Sequence, residues 1–317
     1  MNVLVTGAGL VGCNTARQLI ERGHQAVLYD IAPNEPYIRS VVDRAEVVRG
    51  DVQDMPTVIE TLQKHKIEVI AHTAFLIGGS INQRPFAGVR ANVDGALTLA
   101  EAARLTGVKR FLLAGTFGVY DWEKQSSEIG ASPIPEDFPV ISGDHFYLAS
   151  KVAVEGLLGA FAKHYGFEYA IVRFAQIYGR GHYAAGDYAG PAMHDALAKA
   201  LAGERVQIDP GVLSWNDYVY AKDVAQGMAL ACERPLRHRI YHLGSGTLGS
   251  PEDVAEAIRR AVPGASVEVL PQPLVGPFWR HEQVLDLRRT QQEIGYQPEY
   301  DLVKGVADFA AELRRLS

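Results

Sequence analysis

Tyr147 and Lys151 stand four residues apart in a segment that has the pattern of a helix as far as about Tyr165. Side chains at this spacing lie on one face of a helix, one turn from each other. An ammonium group at that position stabilises the ionised phenol and lowers its pKa from about 10 towards the range of an acid–base catalyst. The spacing alone favours an ordinary surface helix, and the motifs upstream of it are what turn the prediction towards an acid–base catalyst.

A glycine-rich turn near the N-terminus predicts a site for a dinucleotide. The apolar run from Val3 to Val5 leads into Gly7, Gly9 and Gly12, and a second apolar run ends at Asp30. Glycines let the backbone approach a pyrophosphate, and the N-terminus of the following helix supplies amide donors. A carboxylate at this spacing accepts hydrogen bonds from an adenosine ribose and repels a 2′-phosphate. The sequence therefore predicts NAD, rather than NADP, as the cofactor.

Strands and helices alternate along the first half of the chain. Apolar residues at i, i+3, i+4 and i+7 between Met55 and Leu62 predict a helix, and the run from Ile67 to Ala71 predicts the strand that follows. Such alternation predicts an α/β protein with a Rossmann-type doubly wound parallel sheet, covered by helices on both faces. Ligands of these sheets bind at the carboxyl ends of the strands. The residues at predicted strand ends are Gly7, Asp30, Asp51, Thr73 and Thr116.

The alternation becomes less regular beyond Gln176, which predicts a change of domain. We predict an NAD-binding Rossmann domain in residues 1–175, together with strand segments at about 215–245. A smaller, substrate-binding lobe is predicted in about 176–214 and 246–317.

Two local patterns add detail to this division. Ser250, followed by a proline at the first helical position and by Asp253, predicts the start of a helix with a capping interaction. The connection from Asp121 to Phe146 is long and contains three prolines. It is either a lid over the site or a surface insertion, and the sequence leaves both open.

Composition and charge exclude several classes of function. The net charge of −6 argues against nucleic acid or an anionic membrane surface as the principal partner. A strand that begins at Asn2 leaves no room for a signal peptide, and no apolar stretch approaches the length of a membrane span. Cys13 and Cys232 have neither metal-binding nor redox spacing, and the ten histidines form no recognisable metal motif. We expect a reduced, cytoplasmic protein without a bound metal.

The order of these motifs resembles that of the extended short-chain dehydrogenase/reductase superfamily, of the NAD-dependent epimerase/dehydratase type. The resemblance covers most of the chain and implies an NAD-dependent enzyme. The segments that carry it are Thr6 to Gly12, Asp30, Gly50 to Val52, Asn92–Val93, Phe111 to Tyr120, Tyr147 to Lys151, Arg173 to Gly181, Tyr218 to Val224 and Tyr241 to Gly246.

The resemblance implies catalytic roles for Thr116, Tyr147 and Lys151. Tyr147 is the acid–base residue, Lys151 lowers its pKa and hydrogen-bonds the nicotinamide ribose, and Thr116 binds the substrate oxygen. In an oxidation the tyrosinate takes the hydroxyl proton while the hydride leaves to NAD. For Asn92, a helix N-cap is the alternative to a cofactor contact. The cofactor-binding residues implied in all are Gly7, Gly9, Leu10, Val11, Gly12, Asp30, Asp51, Val52, His72, Thr73, Ala74, Asn92, Tyr147, Lys151, Phe174 and Gln176.

Three departures from the family pattern bear on the substrate. Only Ala8 separates the first two glycines, and Gln176 replaces the usual asparagine of the R-x-x-N-x-Y-G run. Asn216 stands where nucleotide-sugar enzymes carry an arginine whose fork suits a pyrophosphate. These changes favour a smaller polar substrate, such as a free sugar, sugar acid, lactone or other hydroxy compound. The predicted substrate contacts are Thr116, Gln176, His182, Tyr183, Trp215, Asn216 and Arg280, with Trp279 as a further pocket wall.

Three hypotheses about function follow. The first is a net NAD-dependent dehydrogenase or reductase acting on a secondary alcohol or ketone of a small carbohydrate-like molecule. The alternative is a nucleotide-sugar epimerase or dehydratase in which NAD is reduced transiently and recycled. A non-enzymatic alternative is an NAD-sensing regulatory protein. The resemblance also implies a homodimer through the helices that begin near Asn92 and Tyr147.

Overall fold

A seven-stranded parallel sheet forms the centre of the structure, a computed structural model that describes residues 1–121, 133–141, 145–181, 189–274 and 283–315. In chain order the strands are β1 (Asn2–Thr6), β2 (Gln25–Asp30), β3 (Glu46–Arg49), β4 (Val69–His72), β5 (Arg110–Thr116), β6 (Glu168–Phe174), β7 (Gln176–Tyr178), β8 (Val206–Ile208), β9 (Asn216–Tyr220), β10 (Ile240–Leu243), β11 (Leu248–Gly249) and β12 (Val267–Val269).

The central sheet has the order β10-β6-β5-β4-β1-β2-β3, and all its neighbouring strands are parallel. Along β1, Val3 and Val5 belong to one hydrophobic cluster and Leu4 to another, because successive side chains of a strand point to opposite faces. Both faces are therefore buried beneath helices. The predicted Rossmann-type doubly wound fold is confirmed.

Helices connect the strands on both faces of the sheet. They are α1 (Leu10–Glu21), α2 (Glu35–Val41), α3 (Met55–Lys64), α4 (Gly78–Gln83), α5 (Pro85–Thr106), α6 (Phe146–Tyr165), α7 (Ala189–Leu201), α8 (Ala221–Glu233), α9 (Pro251–Ala261), α10 (Arg288–Ile294) and α11 (Leu302–Arg314). None of the helices in the described ranges is long and apolar enough to cross a membrane.

The start and end signals of the longer helices explain their bounds. Helix α6 begins one residue before Tyr147 and ends at Gly166, whose φ of 78° lies in the left-handed region that glycine tolerates. At α9 the predicted cap is confirmed, because the Ser250 side chain accepts from the Asp253 amide and the Asp253 carboxylate accepts from the Ser250 amide. Helix α5 begins at Pro85, so the interpretation of Asn92 as its N-cap is wrong.

A third hydrophobic cluster lies outside the central sheet. Its buried residues come mainly from β7, α7, β8, β9, α9, β12 and α11, and it includes Tyr178, Met193, Tyr220 and Phe309. Small sheets accompany it: β11-β9-β7, and the pair β12-β8. We propose that this cluster is the core of the predicted substrate-binding lobe.

Part of the long connection between Asp121 and Phe146 packs against the C-terminal third of the chain. The amide of Ile134 donates to the carbonyl of Val284 at 2.9 Å, and the amide of Asp286 donates back to Ile134 at 2.9 Å. Ile134 is fully buried. Residues 133–141 are thus anchored, whereas 122–132 and 142–144 lie outside the described residues.

Candidate active site

The carboxyl ends of the central strands bring the predicted cofactor residues together. Strands β1, β2 and β4 are adjacent, with Thr6 in register with Tyr29 on one side and His72 on the other. The Thr6 hydroxyl lies 2.7 Å from Nδ1 of His72, and the hydroxyl of Thr73 donates to the Thr6 carbonyl at 2.7 Å. These contacts fix the loop after β4 beside the glycine turn.

The glycine turn leaves no room for side chains at two of its three glycines. Gly7 has a φ of 87°, and a Cβ atom there would lie 2.9 Å from the backbone of Ala74. A Cβ atom on Gly12 would lie 1.8 Å from the carbonyl oxygen of Gly7. A Cβ on Gly9 would meet no atom within 4 Å, so this is the face on which a ligand can approach the backbone. The turn therefore fits a pyrophosphate although it is one residue short.

Asp30 lies at the end of β2 and is held by two backbone amides. Its carboxylate accepts from Ala8 at 2.7 Å and from Ala32 at 2.8 Å. Because Ala8 belongs to the glycine turn, the Asp30 carboxylate ties the end of β2 to that turn; its contact with an adenosine ribose stays a prediction. Asp51 caps the turn after β3 by accepting from the amide of Gln53 at 2.9 Å.

The ammonium group of Lys151 is buried at the end of β5. The side chain is 2% exposed, and Nζ donates to the carbonyl of Ala114 at 2.6 Å. Nζ lies 5.6 Å from the centroid of the Tyr147 ring and 3.0 Å from that of Phe75. Burial lowers the pKa of Lys151 well below its usual value, and the carboxylate of Glu155 opposes this change.

Thr116 ends β5 beside the first turn of α6. Its hydroxyl accepts from the amide of Gly118 at 3.2 Å and so starts a short 3₁₀ helix, Phe117–Val119. A Cβ on Gly118 would lie 3.1 Å from the side chain of Leu148, the neighbour of Tyr147. The segment that follows Thr116 therefore packs against the first turn of α6, in which Tyr147 is half-buried. Thr116 and the carbonyl that binds the Lys151 ammonium thus lie near the same end of β5, and Tyr147 lies one turn from Lys151 on α6.

A buried network of charged and aromatic groups lies behind Lys151. Glu155 pairs with Arg173 of β6, with Oε2 to Nη2 at 2.6 Å. The guanidinium of Arg173 lies 4.8 Å from the centroid of the Tyr120 ring, and the Tyr120 hydroxyl lies 2.5 Å from Nε2 of His242. Burial raises the pKa of Tyr120 and lowers that of His242 to about 3, so both groups are neutral at pH 7.

The sequence analysis missed Glu155 and Phe75. Glu155 had a signal, since it follows Lys151 by one helical turn, but its partner Arg173 is 18 positions further along the chain. Phe75 had none, because nothing in the sequence indicates that the loop after β4 turns its ring towards α6.

Asn92 holds the loop after β4 rather than opening towards solvent. It is fully buried. Its side chain accepts from the amide of Leu76 at 2.8 Å and donates to the Leu76 carbonyl at 3.0 Å and to the Ser150 hydroxyl at 3.0 Å. Ser150 in turn donates to the carbonyl of Tyr147 at 2.7 Å. Asn92 therefore connects the loop after β4 to the catalytic turn of α6, and a direct contact with the cofactor stays a prediction.

The predicted substrate residues are only partly brought together. Asn216 is buried, its Nδ2 lies 3.3 Å from the Ser214 hydroxyl, and its Oδ1 has no hydrogen-bond partner among the described residues. Trp215 and Gln176 are half-buried, and Phe174 is buried at the end of β6. His182, Tyr183, Trp279 and Arg280 lie outside the described residues. Within the described ranges, no group of three or more His, Cys, Asp or Glu residues has the arrangement of a metal site.

Comparison with known proteins defines the class to which this site belongs. Residues 3–244 match the family model described as the NAD dependent epimerase/dehydratase family. The chain therefore belongs to the NAD-dependent epimerase/dehydratase family. The predictions of that family, of an enzyme and of NAD as the family's cofactor are confirmed.

The chain is similar along nearly its whole length to individual UDP-glucose 4-epimerases. The chain is 30% identical over 315 residues to a UDP-glucose 4-epimerase of Mycolicibacterium smegmatis, covering 97% of this chain and 96% of the relative. Its structure resembles that of Thermotoga maritima UDP-glucose 4-epimerase with UDP-glucose, with a TM-score of 0.83, 25% identity and coverage of 100% and 99%. It also resembles Thermus thermophilus UDP-glucose 4-epimerase with NAD, with a TM-score of 0.82, 26% identity and coverage of 99% of each chain.

Proposed function

We propose that the protein is a nucleotide-sugar epimerase in which NAD is reduced and reoxidised within one turnover. The observation that supports this proposal most directly is the similarity to a UDP-glucose 4-epimerase over 97% of the chain. The site supports the chemistry, because a buried ammonium lies beside the phenol of Tyr147 at the carboxyl end of the sheet. The comparisons favour this alternative over a net dehydrogenase of a small free sugar.

In this mechanism Tyr147 moves one proton in each direction. Bound NAD would supply the acceptor, and later the donor, of a hydride at the substrate carbon. The Tyr147 phenolate takes the proton of the substrate hydroxyl, and the phenol gives it back when the carbon is reduced. Lys151 stabilises the phenolate by its charge, and Thr116 hydrogen-bonds the same substrate oxygen. Gly7, together with the rest of the glycine turn and Asp30, would hold the pyrophosphate and the ribose of the cofactor.

One observation keeps a second candidate open. Asn216 is a buried neutral amide at the position where an arginine would bind a diphosphate. An amide contributes no charge to a phosphate oxygen, whereas the Asn216 Oδ1, which has no partner among the described residues, would accept a hydrogen bond from a sugar hydroxyl. A net NAD-dependent dehydrogenase of a sugar without a nucleotide is therefore the runner-up.

Cofactor turnover separates the two candidates. Purified protein is supplied with UDP-glucose or UDP-galactose, and sugar products and NADH absorbance are followed together. Many turnovers with no accumulation of NADH support the epimerase. Stoichiometric NADH from free sugars or sugar acids, with no change in either nucleotide sugar, would replace it by the dehydrogenase. Tyr147→Phe should lower the turnover rate of either activity about 10²-fold or more. An NAD-sensing protein would instead keep its function in this variant.

We also propose a homodimer through α5 and α6. These helices pack against each other, and their large exposed apolar side chains are those that a partner helix pair would cover. Light scattering should give twice the chain mass, and Leu157→Glu should give monomers; a wild-type monomer at micromolar concentration rejects the proposal. The exposed apolar residues on these helices are Phe86, Leu105, Phe146, Leu157 and Tyr165.

A further inference from the structure

Phe75 covers the ammonium group of Lys151. The residue lies in the loop after β4 and is half-buried against the hydrophobic cluster beneath α5 and α6. Nζ of Lys151 is 3.0 Å from its ring centroid, whereas the carbonyl of Ala114 binds Nζ at 2.6 Å from the side of the sheet. An ammonium has three N–H donors, so a donor remains for a ribose hydroxyl.

The ring offers the ammonium a stabilising contact that water no longer provides. Removal of a lysine side chain from water disfavours its charged form, and Lys151 is almost completely buried. The face of an aromatic ring carries negative potential and attracts a cation, most strongly when the pair is desolvated. The Ala114 carbonyl adds a hydrogen bond to the charged form. Both contacts favour the protonation state that a neighbouring phenolate requires.

The position of Phe75 is determined by several contacts of its loop. Its ring lies 4.8 Å from the ring of His72, at an interplanar angle of 41°. The next residue, Leu76, is bound through both its amide and its carbonyl by Asn92 of α5. The loop is therefore tied to β4 and to α5, and the ring is held against α6 by the backbone on either side.

The other groups that face Lys151 do not replace the ring. Tyr147 and Glu155 lie on its own helix, and His72 approaches from β4. Burial, and secondly the charge of Lys151, lowers the pKa of His72 to about 3, so this imidazole is neutral at pH 7. Arg173 of β6 is paired with Glu155 and shares its charge. The carboxylate that supports Lys151 is therefore already engaged.

We propose that Phe75 is a positioning residue for the acid–base pair: its ring face holds Lys151 as an ammonium ion beside Tyr147, and thereby keeps the Tyr147 phenolate accessible near neutral pH. The inference rests on the proposed roles of Tyr147 and Lys151. Its alternative is that Phe75 only fills space, in which case leucine replaces it without effect on ionisation.

Titration of Tyr147 tests this inference without substrate or cofactor. Tyrosinate absorbance is measured against pH for the wild type and for Phe75→Leu, each with and without Tyr147→Phe, so that the difference isolates Tyr147. Loss of the ring should raise the midpoint of Tyr147 by about half a pH unit to one unit. Phe75→Tyr keeps the ring and should keep the midpoint. Phe161→Leu, a partly buried phenylalanine packed on the same cluster, is the matched control and should change nothing.

An unchanged midpoint in Phe75→Leu, or a shift of equal size in Phe75→Tyr, overturns the proposal. If Phe75→Leu does not fold, trifluorophenylalanine at position 75 keeps the shape and weakens the negative face. It must then raise the midpoint, and an unchanged value overturns the proposal in the same way. The outcome is independent of the substrate: a shifted midpoint with no turnover of any nucleotide sugar rejects the proposed function and leaves the role of Phe75 standing.

Discussion

Replacement of Glu155 by glutamine tests the ion pair behind Lys151. The Glu155 carboxylate accepts two hydrogen bonds from Arg173, from Nη2 at 2.6 Å and from Nε at 3.3 Å. The side chains of Arg173 and Glu155 are 3% and 8% exposed. Glutamine keeps the shape and one acceptor oxygen but removes the charge. The guanidinium therefore stays buried without its counterion.

The expected loss follows from the burial of this pair. Removal of one partner from a buried ion pair costs about 3–5 kcal/mol, because the other charge stays desolvated and uncompensated. The amide oxygen of glutamine still accepts one hydrogen bond, which places Glu155→Gln at the lower end, about 3 kcal/mol.

The pair between Arg110 of β5 and Glu168 of β6 is a more exposed control that shares strand β6 with Arg173. Its side chains are 12% and 35% exposed, and the Arg110 guanidinium also donates to two backbone carbonyls, each at 2.7 Å. Glu168→Gln should therefore cost less than about 1 kcal/mol.

Urea unfolding followed by circular dichroism measures both variants against the wild type. The free energy of unfolding is taken from the midpoint and slope of each transition. A loss of less than about 1 kcal/mol for Glu155→Gln, or equal losses for the two variants, would refute the argument that burial determines the cost.

Four further substitutions test the cofactor site and the pH dependence of stability. Gly12→Ala places a Cβ against the Gly7 carbonyl and should lower both the urea midpoint and the affinity for NAD measured by calorimetry. The Cβ of Gly9→Ala meets no atom, so this variant should lower the NAD affinity and leave the urea midpoint unchanged. Equal urea midpoints for the two variants would contradict this. Asp30→Asn should lower NAD affinity about tenfold in a fluorescence titration, because an amide accepts fewer of the hydrogen bonds from the turn and the ribose. Burial raises the pKa of Asp223 to about 6, above that of about 4 in the unfolded chain, so the wild type loses stability as the pH rises between these two values. The stability of Asp223→Asn relative to wild type should therefore rise between about pH 4 and pH 7, by up to roughly 3 kcal/mol, and a pH-independent difference in urea unfolding speaks against it.

The helices and strands of the first half of the chain were predictable because their signals are local. Glycine at the end of a helix, an acid at the end of a strand and apolar residues at helical spacing each act within a few residues. Thus α6 begins within one residue of the predicted start. Two short elements were not predicted, because their local signals are weak. Helix α2 has only seven residues, and β8 has three residues that pair with the distant strand β12.

The substrate preference drawn from single positions was the weakest prediction. The departures at Gln176 and Asn216 favoured a small substrate, whereas the similarity to UDP-glucose 4-epimerases extends over nearly the whole chain. Many residues contribute to the binding energy of a substrate. A change at one contact, such as Asn216, therefore does not define the substrate class.

The sequence by itself determined the doubly wound fold, the glycine turn with its acid at Asp30, and the spacing of Tyr147 and Lys151. Each of these depends on the chain geometry within one βαβ unit or one helical turn. Only the tertiary structure decided what surrounds the lysine: the ring of Phe75, the carbonyl of Ala114, and the pairing of Glu155 with a strand beyond the helix. These contacts join four separate elements, and a buried charge takes its pKa from all its neighbours in space, whatever their distance along the chain.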